Sequence, residues 1–385
     1  MTTVVRSDSG ARHRKDQDEN PATATDAETR TAQPLNDAPE TRREASSRTV
    51  DDTVSLVGAL VGGLALVWLL YLRLMPTSGT LGFLVSWYVA FLVLYTAVSM
   101  LRHGRTVVAD RLATVIVVGG AGVVGFALLT VVLNTVIRGW DALTHWNFFT
   151  EDLGLAGPLT PLDTGGMVHA LLGTLIQIGI AIAVTLPLGV LTAVFLTEVG
   201  GKLGRVVRTV VEAMTALPSI VAGLFIYATL LLALGFPNSG FAAAMAITVM
   251  MLPITARAAE VVLRVVPGGL REASLALGAS QWQTVWRVVL PTARPGLATA
   301  LILGTARGIG ETSPVLLTAG YLTFINANPF NGPMTSLPLL TFRLAQSPEE
   351  AQVARAYGAA TTLLALVLLL FVIARVVAAQ RRGRG

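Results

Sequence analysis

Two charged side chains, Arg307 and Glu311, stand near the middle of an otherwise apolar stretch, LILGTARGIGETSPVLLTAG, at residues 301–320. Their spacing of four residues predicts one helix face, about a turn apart. The guanidinium of Arg307 is permanently charged and offers paired hydrogen-bond donors that suit an oxyanion. The nearby carboxylate of Glu311 would hold the guanidinium in place and would repel a bound anion, which favours its release. Ionisable residues at bilayer depth usually mark an ion path. The pair therefore favours an anion path, and the alternative is a structural pair that locks two helices together.

Weaker candidates for the same path are three hydroxyls that lie in apolar segments beside glycine or proline: Thr174, Ser219 and Thr312. A hydroxyl bonded to its own helix backbone is the commoner role for each of them. Gly304 and Gly308 form a small-xxx-small pair, which predicts the close approach of a neighbouring helix. Pro314 is predicted to free a backbone carbonyl and to act as a bend or hinge within the same span.

The composition is that of an integral membrane protein. Of 385 residues, 53% are hydrophobic and 13% charged, and the mean hydropathy is +0.66, whereas a soluble domain has about 25% charged residues. The net charge of +5 suits cationic cytoplasmic loops and does not indicate a nucleic-acid partner. The sequence lacks cysteine, and its four histidines are scattered, so we expect no metal site.

Eight apolar runs reach the length of about 20 residues that a helix needs to cross a bilayer. These runs cover approximately residues 53–72, 80–101, 112–137, 167–197, 213–235, 239–262, 296–320 and 357–379. If the N-terminus is cytoplasmic, the loop arginines that remain outside are Arg73, Arg138, Arg343 and Arg355, and 15 basic residues lie inside. The positive-inside rule then predicts a multi-pass protein of the cell membrane, surrounded by lipid, with both termini cytoplasmic.

The longest cytoplasmic loop, residues 263–295, has the pattern of two short helices. We expect the first to carry Glu272 in its first turn, where a carboxylate suits the helix dipole, and to stop at a left-handed Gly278. A second helix would start at a capping box formed by Ser280 and Gln283. This second helix would end at Pro291. Each of the two helices would carry one apolar face, which is suited to bind in a groove of another protein.

Six residues of this loop resemble the EAA motif of ABC importer permeases, which is the coupling helix that docks on an ATPase subunit: Glu272, Ala273, Ser274, Gly278, Leu290 and Pro291. Ser274 stands where that family usually has a second alanine. The sequence contains no G-x-x-x-x-G-K-[ST] motif, so the chain is not expected to hydrolyse ATP itself. The resemblance implies that ATP is used by a partner and that this chain binds no cofactor.

Four segments narrow the resemblance to the PstA-type permease subunits of phosphate importers: residues 173–198, 217–225, 266–296 and 306–314. The last reads ARGIGETSP, with Ser313 where that family usually has alanine. The resemblance covers residues 112–385 and implies an all-α, MetI-like (type I) core of six helices. We expect a disordered cytoplasmic tail over residues 1–52 and an additional transmembrane hairpin over 53–111.

The resemblance also implies partners: a PstC-type permease subunit, two copies of a PstB-type ATPase and an external PstS-type phosphate-binding protein. Phosphate would cross past the Arg307 region. Permeases for sulfate or molybdate share the EAA pattern, so another oxyanion stays an alternative. A secondary transporter or channel is a further alternative, although it would not need the two-helix cytoplasmic loop.

Overall fold

The computed structural model describes residues 50–73, 79–102 and 104–380, and these residues form helices and loops without a β-strand. The predicted tail over residues 1–52 lies outside the described residues as far as position 49. Among the described helices, seven are long and apolar enough to cross a membrane, and a sharply bent pair counted as one span makes eight. The predicted all-α membrane fold with about eight spans is confirmed.

The chain divides into two compact units between Val118 and Gly119. The helices that begin in the first unit are α1 (Val50–Arg73), α2 (Thr80–Arg102) and α3 (Arg105–Thr144), of which α3 continues into the second. Helices α1 and α2 form a hairpin whose buried core is Ala59, Phe91 and Tyr95. The rings of Phe91 and Tyr95 stack with their centroids 5.9 Å apart. Both rings belong to α2, and the contact with α1 is close where Gly63 lies against the backbone of Phe91.

The second unit contains eleven further helices among the described residues. They are α4 (Asn147–Thr150), α5 (Val168–Val194), α6 (Gly201–Thr215), α7 (Ser219–Ile226), α8 (Gly240–Val265), α9 (Gly268–Ala276), α10 (Gln281–Thr284), α11 (Leu290–Ile309), α12 (Ser313–Thr318), α13 (Leu337–Leu344) and α14 (Glu350–Gln380). Three π-helical segments extend them: Phe195–Val199 after α5, Tyr227–Ala233 after α7, and Val285–Val289 between α10 and α11. Such segments are rare and are frequent at functional sites.

Helices α5, α8 and α11 form the centre of the second unit. Gly189 of α5 lies against Thr255 of α8. The glycines of α11 meet α8 in reverse order along the chain, with Gly296 against Val262, Gly304 against Thr255 and Gly308 against Met251. Helix α11 therefore runs antiparallel to α8. Small residues at these contacts allow the helix backbones to approach closely, which is the common way in which helices associate within a membrane.

The predicted span over residues 213–235 is wrong in its boundaries. Helix α6 ends at Thr215 and α7 begins at Ser219, and the two are bent by 108°. Pro218 has φ −58° and ψ 139°, because proline fixes its own φ and lacks an N–H to continue the helix. The chain thus turns sharply at Pro218, which separates the two helices.

The boundaries predicted around Pro291 are also wrong. The chain is continuously helical from Gln281 to Ile309, so Pro291 does not end a short helix. A π-helical segment ends at Val289, two residues before this proline. Its wider turn accommodates a ring that would otherwise clash with the carbonyl four residues earlier. The predicted span over 296–320 starts earlier and stops at Ile309, before a break.

A buried arginine, Arg355, organises the loop between α4 and α5. Although predicted to lie in an external loop, Arg355 lies within α14 and is 1% exposed. Its guanidinium donates to the carbonyl oxygens of Thr160 at 3.1 Å, Pro161 at 2.6 Å and Thr164 at 2.8 Å. These charge-assisted hydrogen bonds pair both terminal nitrogens of the guanidinium and hold the loop against α14.

Candidate functional site

Arg307 and Glu311 form an ion pair, although they do not lie in one continuous helix. The Nε of Arg307 is 3.5 Å from Oε1 of Glu311. Helix α11 ends at Ile309, and Glu311 follows in the break, with its N–H donating to the carbonyl oxygen of Gly308 at 3.2 Å. This last hydrogen bond keeps the chain turning past Ile309, so the two side chains still meet. The expectation of a single helix face is corrected accordingly.

The two side chains differ in exposure. That of Arg307 is 56% exposed and that of Glu311 is 11% exposed. The neighbouring Gly308 contacts Met251, in the middle of α8, which places the pair at the depth of the membrane-spanning helices. An arginine exposed to lipid at that depth costs about 3 kcal/mol or more. The face that carries Arg307 therefore needs a cover of water or of another subunit.

The break between α11 and α12 differs from the predicted bend. Pro314 is the second residue of α12, so it helps to begin a new helix and does not bend a continuous one. Gly223 of α7 lies against the backbone of Pro314, and any larger residue would clash there. Thr312 lies in the break, and Ser219 is the half-buried first residue of α7. The structure therefore brings α7 and the break together. A transport role for either hydroxyl stays a prediction.

Thr174 lies away from this break, at the contact between α5 and α13. Its side chain is buried, and its hydroxyl donates to the carbonyl oxygen of Ala170 at 2.8 Å and accepts from the N–H of Leu337 at 2.8 Å. Leu337 is the first residue of α13, so Thr174 satisfies a backbone donor at the start of that helix. This structural role accounts for the threonine without a substrate, and its place in the transport path stays a prediction.

Gly304 and Gly308 lie on the side of α11 that faces α8. A Cβ atom at Gly304 would overlap the hydroxyl of Thr255, and one at Gly308 would overlap the sulfur of Met251. The two glycines thus set how closely α11 approaches α8. Arg307 precedes Gly308 directly and lies beside this contact, where its side chain is 56% exposed.

In the segment with the EAA-like residues, helices α9 and α10, the turn at Gly278 and the capping box at Ser280 form as predicted. Gly278 has φ +83°, the left-handed conformation that ends helix α9. Ser280 and Gln283 form the predicted capping box: the Ser280 hydroxyl accepts from the N–H of Gln283 at 3.3 Å, and the Gln283 Oε1 accepts from the N–H of Ser280 at 2.9 Å. Glu272, however, is not in the first turn, because α9 begins earlier, at Gly268.

This segment presents an apolar surface that the described part of the chain leaves uncovered. Helix α9 has no buried residue within the described structure. The exposed apolar side chains of the segment are Leu270, Leu275, Leu277, Trp282 and Trp286, and Leu277 is 90% exposed. Beneath them, Val285 and Val289 are buried against Val194 and Leu263. A short apolar helix on a firm base is suited to lie in a groove of another protein.

Ser274 has a specific contact that its position in the motif did not reveal. Its hydroxyl is 2.9 Å from that of Thr284, which is buried. Leu290 is half-buried in the same apolar cluster as Val289, and Pro291 follows it at the start of α11. The serine therefore joins α9 to α10, in addition to being small at that position.

Sequence reasoning missed a buried carboxylate, Glu260. Its side chain is 4% exposed, and its Oε1 accepts from Nη2 of Arg208 at 2.8 Å and from Nη2 of Arg264 at 2.7 Å. Arg257 lies 3.7 Å from its Oε2 and also pairs with Glu212 at 3.1 Å. The spacing of three and four residues around Glu260 in α8 was the available signal. This network ties α6 to the end of α8 that leads into α9.

Comparison with known proteins assigns the family. The family described as "binding-protein-dependent transport system inner membrane component" matches residues 185–383. The phosphate transport system permease protein PstA 1 of Mycobacterium tuberculosis is 44% identical over 251 residues, which are 64% of this chain and 82% of that protein. PstA of Mycobacterium leprae is 44% identical over 62% of this chain and 78% of that protein.

A more distant relative is PstA of Pasteurella multocida, 32% identical over 66% of this chain and 89% of that protein. Among solved structures, an inward-facing conformation of the MetNI methionine ABC transporter aligns with 55% of this chain and 90% of that chain, at 24% identity and a TM-score of 0.42. The chain therefore belongs to the family of binding-protein-dependent transport system inner membrane components, and it is similar in sequence to the PstA permeases of that kind.

Proposed function

We propose that this chain is the transmembrane permease subunit of an ABC importer that moves inorganic phosphate into the cytoplasm. The observation that carries the proposal is the 44% identity to a phosphate permease over 82% of that protein's length. That similarity extends well beyond one motif, so it favours phosphate over sulfate or molybdate. A secondary transporter would leave the exposed apolar segment of α9 and α10 without a purpose.

The energy for transport would come from a partner ATPase, and this chain itself would be no enzyme and bind no cofactor. In the proposed complex, a PstB-type ATPase dimer docks on the apolar surface around Leu277 and Trp282. ATP binding closes the ATPase dimer, and the α9–α10 segment moves with it. The continuous helical run from Gln281 to Ile309 then connects that segment directly to Arg307.

Phosphate would cross along the face that carries Arg307, between this chain and a PstC-type partner permease. The exposed guanidinium offers a charged donor fork for an oxyanion. Glu311 orients that fork when the path is empty, and its negative charge shortens the stay of the anion. Both roles suit a transporter, because an anion that binds too tightly is not released.

The end of the second unit opposite α9 would face outward, toward a PstS-type phosphate-binding protein, and both chain termini would be cytoplasmic. At this end the loop after α4 is bonded to the loop after α12. Leu153 donates its N–H to the carbonyl oxygen of Thr323 at 2.8 Å, and Ile325 donates to Asp152 Oδ2 at 3.1 Å. Two loops joined in this way offer a rigid surface for docking.

The test is uptake of radiolabelled phosphate by cells that lack this subunit and are complemented with it. We expect ATP-dependent uptake that excess arsenate reduces strongly and that sulfate and molybdate leave nearly unchanged. Arsenate is the matched competitor, because it has the charge and nearly the size of phosphate. Stronger competition by sulfate or molybdate, or uptake that continues after ATP depletion and stops with the ion gradient, would refute the proposal.

A further inference from the structure

A second ion pair links the α9–α10 segment to the end of α5. Nη2 of Arg271, in α9, lies 3.1 Å from Oε1 of Glu198, in the π-helical segment Phe195–Val199. The two side chains are 24% and 11% exposed. The atoms are not aligned for a hydrogen bond, so the attraction is chiefly that between two charges. Because both side chains are mostly withdrawn from water, this attraction is screened less than that of a surface pair.

The same guanidinium also holds the end of α8. Arg271 donates to the carbonyl oxygens of Leu263 at 2.9 Å and Val266 at 3.2 Å. These carbonyls lie at the C-terminus of α8, where helix geometry leaves acceptors unpaired and where a cation is favoured. A single side chain of α9 therefore contacts the ends of two long helices, α5 and α8.

The π-helical segment receives a second tie from α10. Gln281 donates through Nε2 to the carbonyl oxygen of Glu198 at 2.7 Å. Single π-helical turns within helices are rare and are frequent at functional sites. Two side chains of the α9–α10 segment, Arg271 and Gln281, thus meet such a turn at the end of α5.

Helix α9 itself has few other attachments. None of its residues is buried, and the contact of Ser274 with Thr284 joins it to α10 alone. A force applied to the exposed face of α9 reaches α8 through Val266 and Pro267, which join the two helices. It reaches α5 through the side chain of Arg271, beside the hydrogen bond that α10 makes through Gln281. The planar guanidinium of Arg271 can contact several acceptors at once, whereas the ammonium group of a lysine could not do so in the same geometry.

We propose that Arg271 is the positioning residue that transmits the movement of α9 to α5, with Glu198 as its partner at the end of α5. The proposal rests on the proposed function, because it assumes that an ATPase moves α9. It adds two residues that lie outside the EAA-like set. It also assigns a purpose to the π-helical segment after α5.

The experiment uses the complete importer in lipid, assembled from partner subunits without cysteine. Because this chain has no cysteine of its own, Leu191→Cys places a single spin label on an exposed position of α5, before Glu198. The electron paramagnetic resonance spectrum is compared without nucleotide and with ATP plus vanadate. We expect a nucleotide-dependent change in the spectrum, and about a tenfold smaller change in Arg271→Gln and in Glu198→Gln, in line with a typical coupling between sites.

The charge-swapped double variant, Glu198→Arg with Arg271→Glu, restores the attraction and should recover most of the spectral change. This rescue separates transmission from a general loss of folding. Arg205→Gln is the matched control, because Arg205 is an exposed arginine of α6 and its removal should leave the change intact. Co-purification of the ATPase is measured in every variant, and the ATPase should stay bound.

Three outcomes would overturn the proposal: no nucleotide-dependent change at position 191 in the parent chain, loss of the ATPase from Arg271→Gln, or no recovery in the charge-swapped variant. The spectrum does not depend on which ion is carried. A different substrate would therefore refute the proposed phosphate transport and leave this test unaffected. Normal spectral changes in Arg271→Gln would refute the inference and leave phosphate transport standing.

Discussion

The Nε of Arg307 lies 3.5 Å from Oε1 of Glu311 across the end of helix α11, and the arginine is the more exposed member of the pair. Glu311 sits in the break before α12, where it is nearly buried. The carboxylate is thus fixed by the fold, while the guanidinium extends from the surface at the depth of the membrane. This asymmetry is suited to a cation that meets a passing anion and returns to its partner.

Removal of the Arg307 charge should abolish most transport. We expect Arg307→Gln to lower phosphate uptake by about 10- to 100-fold, because a hydrogen bond to a charged group contributes about 1.5–3 kcal/mol. Arg307→Lys keeps the charge without the planar fork and should give intermediate uptake. Uptake is measured in vesicles with equal amounts of inserted protein. Near-normal uptake by Arg307→Gln would contradict the assigned role.

The carboxylate of Glu311 should speed the release of phosphate. We expect Glu311→Gln to lower the maximal uptake rate several-fold and to lower the phosphate concentration needed for half-maximal uptake, because the anion then meets less repulsion. Initial rates over a range of phosphate concentrations separate the two effects. A lower rate with an unchanged half-maximal concentration would show that Glu311 only positions the helix end.

The apolar surface of α9 should be needed for the ATPase and not for folding. Leu277 is 90% exposed, so Leu277→Ser should leave the thermal unfolding midpoint within about 1 °C, since exposed substitutions change stability by less than about 0.5 kcal/mol. Co-purification of the ATPase should fall strongly. Leu159→Ser is the matched control, since Leu159 is also an exposed leucine, at 79%, but lies in the loop between α4 and α5. Equal loss in both variants would argue against a docking surface.

The packing of α11 on α8 should depend on Gly308. A methyl group there meets the sulfur of Met251, and such overpacking costs about 1–3 kcal/mol. We expect Gly308→Ala to lower the unfolding midpoint in detergent and Met251→Ala to recover part of that loss in the double variant. Gly120→Ala is the control, because Gly120 has open space around it and alanine favours the helix there. A destabilised control or an unchanged Gly308→Ala would contradict the assigned contact.

The buried carboxylate of Glu260 should contribute more to stability than the exposed one of Glu212. Glu260→Gln leaves Arg208 and Arg264 without their charge partner, while Arg257 keeps Glu212. We expect a loss of about 2–3 kcal/mol, somewhat below the value for fully buried pairs because the arginines are partly exposed. Glu212→Gln should cost at most about 1 kcal/mol. Thermal unfolding of both variants in the same detergent measures the difference, and equal losses would refute it.

The amino-acid sequence by itself determined the class of fold and the local turns. Apolar runs of sufficient length must be helical in a bilayer, whatever their neighbours are. The left-handed Gly278 and the capping box of Ser280 depend on contacts within a few residues, so they too were predictable. The similarity of residues 266–296 and 306–314 to known permeases pointed to the family before any contact was known.

Only the tertiary structure decided where the long-range contacts fall. Pro291 reads as a helix end, yet the π-helical segment before it lets the helix continue. The pairing of Arg271 with Glu198 joins residues that are distant in the chain, and no local rule relates them. Such pairs depend on how α5, α8 and α9 pack, because side chains far apart in sequence meet only after the helices have assembled.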